Sequence, residues 1–366
     1  MPDFMPALEL NRRFYSQSVR PALDKHFPNL PHAAALIGYG SEVLGFDTEM
    51  SMDHNWYPRV YLFVREKDQG LIPSIHEMLK DELPHEFLGF PVDTVPVPDE
   101  PGTRWMKEKH YGPVDHAVAI TTVRDFTLDT LGWDVNDPLT AVDWLTFPSQ
   151  ILRTMTAGAV YFDNAGELTR LREALAWYPQ DTWLYLLAST WDRIGQEEHL
   201  MPRAGFEGDE LGSAIIGSRL VRDIMSLSFL MEKQYAPYPK WFGSGFSQLS
   251  CSGELTPILC ETQKAENWKQ RQGALCKGYE SLVRKHNSLG ITEPFADQVS
   301  SFHGRPFQVI HGDRIAQAIA HKITGIDIKE LVSKGLIGGI DQWSDSSELK
   351  SNPGHWHQAI DNFYKR

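Results

Sequence analysis

The sequence predicts a small α/β domain over residues 1–138 followed by a larger all-helical domain over residues 139–366, an α/β + all-α architecture. Three observations carry the prediction. Before Leu139, short apolar runs that read as strands alternate with helical periodicity. After it, apolar residues recur almost only at helical spacing. The chain has 366 residues, enough for two separate cores.

The elements follow in order. Leu8 to Phe27 places Leu10, Phe14, Tyr15, Val19, Leu23 and Phe27 at helical spacing, with Pro21 as a kink or break. His32 to Ile37 (HAAALI) is a short apolar run closed by Gly38, which fits a buried strand. Arg59 to Val64 (RVYLFV) is β-branched and aromatic, and reads as the next strand. Leu71 to Leu83 is a helix with Pro73 in its first turn. Phe90 to Gly102 contains Pro91, Pro96, Pro98 and Pro101, so it is a loop or an edge strand. Val114 to Val123 supplies the third strand. Helical periodicity then fills Ala141 to Met155, Glu167 to Tyr178, Asp181 to Glu198 and Asp209 to Tyr235. Asp209 and Glu210 suit the positive end of the last of these, and Pro237 and Pro239 end it. The remainder from Ala265 is mostly helical, with glycine and proline breaks and no internal repeat.

A net charge of −13 argues against a broad polyanion-binding surface and against DNA as a partner. Any basic patch must be local, at Arg12–Arg13, at Lys264, Lys269 and Arg271, or at Arg284–Lys285. Three cysteines in so long a chain, Cys251, Cys260 and Cys276, predict a reducing compartment, and their spacing matches no zinc pattern and no redox pair. The N-terminus shows no basic segment leading into an apolar one, and no apolar run is long enough for a bilayer. The expectation is a cytoplasmic protein without a membrane partner.

The stretch with the most chemistry is Ile37 to Trp56, IGYGSEVLGFDTEMSMDHNW. A strand that ends in Gly40-Ser41 offers backbone N–H groups and a hydroxyl to an anion. If Asp53 opens a strand that runs through Arg59, residues 53 and 55 share a face. Two carboxylates there would clamp Mg²⁺ ions for nucleotidyl transfer. The second position is Asn55, which removes a negative charge from such a site. His54 points to the other face, and Asp47, Glu49 and Asp115 are further acidic candidates. A tight turn followed by a solvated acidic loop accounts for the same residues.

Four longer pieces carry a resemblance: GSEVLGFDTEMSMDHNW, YFDNAGELTRLREALAWYPQDTWLYLLASTWDRIGQEEHL, GDELGSAIIGSRLVRDIMSLSFLMEKQYAPYPKWFGSGF and LIGGIDQW. They resemble a domain-of-unknown-function family described as nucleotidyltransferase-like, and its fungal branch of arginine-containing cyclodipeptide synthases. Bacterial members read D-H-D or D-H-H and then W/F-G-P-R, where this chain has Asp53-His54-Asn55-Trp56-Tyr57-Pro58-Arg59. The resemblance implies a nucleotidyltransferase-like α/β domain and a reaction between two aminoacyl-tRNAs, one of them arginyl-tRNA, that releases a cyclic dipeptide. It also implies a role for an acidic D-D-x-x-E motif, nearest here in Asp163-Asn164-Ala165-Gly166-Glu167, with Asn164 as a departure.

Several constellations have two readings each. Asp163 and Glu167 are a capping turn, or a forked carboxylate pair that holds a guanidinium. Glu197 and Glu198 follow Arg193 on a helix, where Arg193–Glu197 is an i,i+4 pair, and nearby aromatics place part of that face at a cavity or in the core. Arg219 and Asp223 form a second i,i+4 pair, beside Arg222 and after Asp209. Tyr235-Ala-Pro-Tyr238-Pro-Lys240-Trp241 is a stiff aromatic loop suited to stacking on an RNA end, or to packing. His311-Gly312-Asp313 and His355-Trp356-His357 read as surface or packing groups rather than as metal ligands.

The candidate catalytic residues are thus Ser41, Asp53, Asp163 and Glu167. Gly40, Asp47, His54, Arg59, Glu197, Glu198, Asp209, Arg219, Arg222, Tyr235, Tyr238 and Lys240 are candidates for substrate contact. Three functions fit. A tRNA-dependent cyclodipeptide synthase needs positioning and proton transfer on activated esters, with no cofactor. A nucleotidyltransferase acting on a small hydroxylated acceptor needs Mg²⁺. A catalytically inert binding protein of the same fold is the third.

Overall fold

The computed structural model describes residues 3–100 and 102–365, so Pro101 lies outside the described residues. The chain forms two compact units. The first holds the chain up to Pro138 together with Ile151–Ala176 and Ser351–Gln358. The second holds Leu139–Gln150, Trp177–Lys350 and the chain from Ala359 onward. The first is a mixed α/β unit and the second is helical apart from one short hairpin.

The α/β unit is built on a four-stranded sheet in the order Ala117–Thr121, Arg59–Val64, His32–Leu36 and Ala159–Asp163. The first two strands are parallel, and the other neighbours are antiparallel. His32–Leu36 is buried along its whole length, as a central apolar run requires. The Ala159–Asp163 strand is an addition to the expected set. Five half-buried residues between two helical stretches give it no distinctive period, and pairing with His32–Leu36 decides its conformation.

The N-terminal helix shows how the chain accommodates Pro21. Ala7–Phe14 and Arg20–His26 are α-helical, and Tyr15–Val19 between them widens into a π turn. Proline has no N–H to give, so the hydrogen-bond ladder loosens just before it and the helix continues. The expected Ala141–Met155 helix is instead two, Ala141–Thr146 and Ser149–Thr156, split at Phe147-Pro148.

In the helical unit, Gln180–Glu197 packs against Glu210–Met231 and Gly312–Ala320, and Glu210–Met231 against Trp268–Ser288. The contact with Gly312–Ala320 is close-packed through glycine. A Cβ on Gly195 would fall 2.4 Å from the backbone nitrogen of Asp313. Among the described residues, no helix is long and apolar enough to cross a membrane.

Candidate functional site

In the α/β unit the Gly40–Ser41 turn follows the central strand. Gly38 and Gly40 have φ of +85° and +115°, and a Cβ on Gly40 would fall 2.3 Å from the Glu42 carboxylate. Glycine is needed there on both counts. Beneath the turn lies Arg59. Its Nη2 donates to the Tyr39 carbonyl at 2.6 Å and to Glu42 Oε1 at 2.6 Å, and its guanidinium stands 4.3 Å from the Tyr39 ring centre. Burial works against the guanidinium charge, but Glu42, with Tyr39 and Tyr61, more than offsets it and the pKa is raised. Arg59 therefore holds the turn from inside and is not open to a substrate. Glu42, which the sequence reading did not single out, is its partner.

The expected strand from Asp53 is absent. Glu49–Asp53 is a 3₁₀ turn, and the strand begins at Arg59. Asp53 is exposed and accepts from His54, whose Nδ1 lies 2.9 Å from Asp53 Oδ1. Asn55 takes a left-handed conformation with φ of 51°. Its side-chain oxygen accepts from the Arg104 N–H at 2.9 Å, and its own N–H donates to the Arg104 carbonyl at 3.0 Å. Asp47 accepts from the Ala7 N–H at 2.8 Å and from Trp56 Nε1 at 3.2 Å, which caps the first helix. Asp115 pairs with Arg104. These donors do not fit a pair of Mg²⁺ ions, because Asn55, Asp47 and Asp115 are each held by a local partner. Among the described residues no group of three His, Cys, Asp or Glu could hold a metal.

Asp163 also has a local task. Its Oδ1 accepts from the Gly166 N–H at 2.8 Å, and its Oδ2 accepts from the N–H and hydroxyl of Thr169, both at 2.8 Å. Both oxygens thus fasten the start of the Glu167–Ala174 helix. Glu167 is half-buried, and among the described residues its carboxylate has no hydrogen-bond or ion-pair partner. Asp163 stands opposite Ala33, near the start of the central strand, whereas Gly40 and Ser41 follow its end. Three strand residues span about 10 Å, so the register sets Asp163 apart from Ser41 along the sheet.

A groove of about 640 Å³ runs along the edge strand in this unit, between Ala159–Phe162 and a wall of Leu8, Arg12, Tyr15 and Arg20. The Arg20 guanidinium sits 4.2 Å above the Phe162 ring.

The remaining candidates lie in the helical unit. The expected i,i+4 pairs do not form. Arg193 pairs with Asp223 at 3.3 Å and Arg219 with Glu197, both between the Gln180–Glu197 and Glu210–Met231 helices. Packing of the two helices brings these four residues closer across the interface than along either helix. Arg222 pairs with Asp345. Asp209 caps the Glu210–Met231 helix by accepting from the Gly212 N–H at 2.7 Å. Glu198 is buried and accepts from the N–H of Ile310 at 2.5 Å and of Gly312 at 3.1 Å. Burial pushes its carboxyl up to about 7 against the pull of those N–H groups. Lys240 is exposed, with its ammonium 5.1 Å from the centre of the neighbouring Trp241 ring. Tyr238 precedes the Pro239–Phe246 helix.

Tyr235 marks the second cavity. With Trp144, Trp177, Tyr178 and Phe229 it walls a pocket of about 50 Å³, enough for a small planar head group. Asp223 and Asp341 reach the same pocket. Asp341 is engaged by the Ser149 N–H at 2.7 Å and by Lys350 at 2.9 Å. Asp223 differs, because its buried Oδ2 has no hydrogen-bond partner. Burial pushes its carboxyl up to about 6, while Arg193 pulls the other way. An aromatic box with one unmet carboxylate oxygen is suited to an organic cation.

Within the basic neighbourhoods, several cations have acidic partners. Arg12 and Arg13 both pair with Glu9, Arg271 with Glu210, Arg284 with Glu254 and Lys285 with Glu232.

Residues 144–242 match the model of a family described as a domain of unknown function, DUF4037. The matched stretch, about a quarter of the chain, includes Trp144, Trp177, Asp223 and Tyr235 of the aromatic pocket. It also covers the second quoted piece and nearly all of the third. Three chains of solved structures match. One is the crystal structure of a nucleotidyltransferase-like protein from Exiguobacterium sibiricum, 13% identical over 81% of this chain and 82% of that one, with a TM-score of 0.30. No curated protein matches.

Proposed function

We propose that this protein is a transferase that moves aminoacyl groups, a tRNA-dependent cyclodipeptide synthase that condenses arginine from arginyl-tRNA with a second aminoacyl group. The observation that carries the reading is the aromatic pocket with the unmet Asp223 oxygen. A guanidinium is planar, stacks on aromatic faces and donates in a fork to a carboxylate. Trp177, Tyr178 and Tyr235 supply the faces and Asp223 the acceptor.

The state of the acidic stretch favours acyl over nucleotidyl transfer. Aminoacyl esters are already activated, so the enzyme needs to position two of them and move protons. That task tolerates Asn55 bonded to Arg104 and Asp47 bonded to the first helix, whereas a two-metal site does not. Glu167 is the acidic side chain of the D-x-x-x-E turn left available for proton transfer. The groove beside Arg20 and Phe162 offers an arginine and an aromatic edge to the single-stranded end of a tRNA.

Expression in a host that supplies its own charged tRNAs tests the reading. The expected result is an arginine-containing cyclic dipeptide in the extract, lost in Asp223→Asn. No such product, together with Mg²⁺-dependent release of pyrophosphate from ATP, would overturn it in favour of nucleotidyl transfer.

A further inference from the structure

Away from the aromatic pocket, the helical unit brings a serine and a histidine into contact. Ser300–Ser301 pairs antiparallel with Gln308–Val309, with Ser300 opposite Val309. Two residues on, His311 places its Nε2 2.9 Å from Ser300 Oγ. The sequence reading assigned His311-Gly312-Asp313 to surface or packing, and nothing in it pointed to Ser300.

Three features set this pair apart from a chance surface contact. His311 is left-handed, with φ of 60°, a conformation uncommon and strained for a residue other than glycine. The strain is imposed from beneath, because the buried Glu198 carboxylate grips the N–H groups on either side, those of Ile310 and Gly312. Gly312 is close-packed on the neighbouring helix, since a Cβ on it would fall 2.5 Å from the Trp191 carbonyl oxygen. Finally, burial holds the imidazole pKa below its ordinary value, with Arg314 and His303 acting in the same direction and Asp313 against them. The ring is therefore neutral, and a base, at neutral pH. Ser300 is exposed to an incoming reagent.

We propose that Ser300 and His311 form a nucleophile–base dyad that accepts an acyl group from an activated carboxylic ester. Ser300 Oγ attacks the ester carbonyl carbon while His311 Nε2 takes the hydroxyl proton. The tetrahedral intermediate expels the alcohol, which leaves with that proton, and the acyl group remains on Ser300 as an ester. Water then attacks this ester through the same imidazole and releases the carboxylic acid. Glu198 acts through His311 as a positioning residue. The dyad does not depend on the aminoacyl reading, because a simple ester suffices to test it.

The full chain is treated with p-nitrophenyl acetate, followed at the nitrophenolate band and then by peptide mapping. The expected result is a burst with one acetyl group per chain at Ser300, absent in Ser300→Ala and intact in Ser301→Ala. His311→Asn keeps a residue that tolerates the left-handed backbone but removes the base, and slows acylation roughly 100-fold. The wild-type rate rises with pH through a midpoint below the ordinary imidazole value. Glu198→Ala shifts that midpoint or lowers the rate at a pH where circular dichroism shows it folded, and Glu198→Gln restores part of it. No burst, acetyl groups found only on lysines, or wild-type rates in Ser300→Ala or His311→Asn overturns the proposal.

Discussion

Arg59 and Glu42 form an ion pair of 2.6 Å in which each side chain is only 4% exposed. The pair sits under the Gly40–Ser41 turn and ties it to the strand that begins at Arg59. Removal of one partner leaves a buried charge unmet, at a cost of about 3–5 kcal/mol. Glu42→Ala is therefore expected to lower the urea midpoint sharply. Glu42→Leu combined with Arg59→Met is expected to recover most of the loss, because neither charge is then buried alone. Equal destabilisation of the single and double variants in urea unfolding would refute this account of the turn.

Asp163 and Glu167 should separate in experiment, although the sequence presents them as a pair. Asp163 caps a helix through both oxygens, so Asp163→Ala is expected to cost about 0.5–2 kcal/mol. Its product yield should fall only as far as its folded fraction does. Glu167→Ala removes no bond and should leave stability within about 0.5 kcal/mol, yet lower the yield if its carboxylate moves a proton. Thermal melts and product assays on both variants decide the matter, and a stability loss confined to Glu167→Ala would reverse the assignment.

The regular elements were legible where the local signal was strong. RVYLFV is a strand from Arg59 to Val64 as its composition predicts, and Asp209 caps the helix it precedes. Legibility failed wherever a distant partner sets the outcome. The Ala159–Asp163 strand exists because His32–Leu36 pairs with it, and that strand is over a hundred residues earlier in the chain. The exchange of ion-pair partners among Arg193, Glu197, Arg219 and Asp223 depends on a helix–helix contact that i,i+4 spacing cannot report. In the same way Asn55 looked like a damaged metal ligand, and its bonds to Arg104 show it fastening two loops. The Asp223 oxygen and the Ser300–His311 contact are products of packing, with no motif to announce them.

Asp223 should make cation binding depend on pH. Its carboxyl is raised from 3.8 to about 6 by burial, with Arg193 opposing. The folded state thus holds a proton that the unfolded chain has released between about pH 4 and 6, and stability from this group falls as pH rises through that window. Binding of a guanidinium runs the other way, because the ionised form is the acceptor. L-arginine ethyl ester is expected to bind roughly tenfold more tightly at pH 7 than at pH 5, the ratio of ionised fractions for a group at about 6. Calorimetry on wild type and Asp223→Asn checks this. The variant should bind weakly and with no pH step, and an equal step in both proteins would place the titrating group elsewhere.

Glu198 supplies a second pH signature, of stability rather than binding. Burial raises its carboxyl from 4.5 to about 7, although the N–H groups of Ile310 and Gly312 favour the charged form. Because the folded value is the higher one, the native state binds the proton more tightly. The stabilisation is complete below about pH 4.5 and is lost as pH rises toward 7, on the order of 3 kcal/mol. Glu198→Gln cannot titrate, so its melting temperature should lack that part of the decline between pH 5 and 8. The difference between the two melting curves isolates Glu198 from Asp223, which is present in both proteins. Parallel curves across that range would mean that Glu198 keeps an ordinary carboxylate pKa in the folded chain. The strained turn at His311 would then rest on a permanently charged anchor.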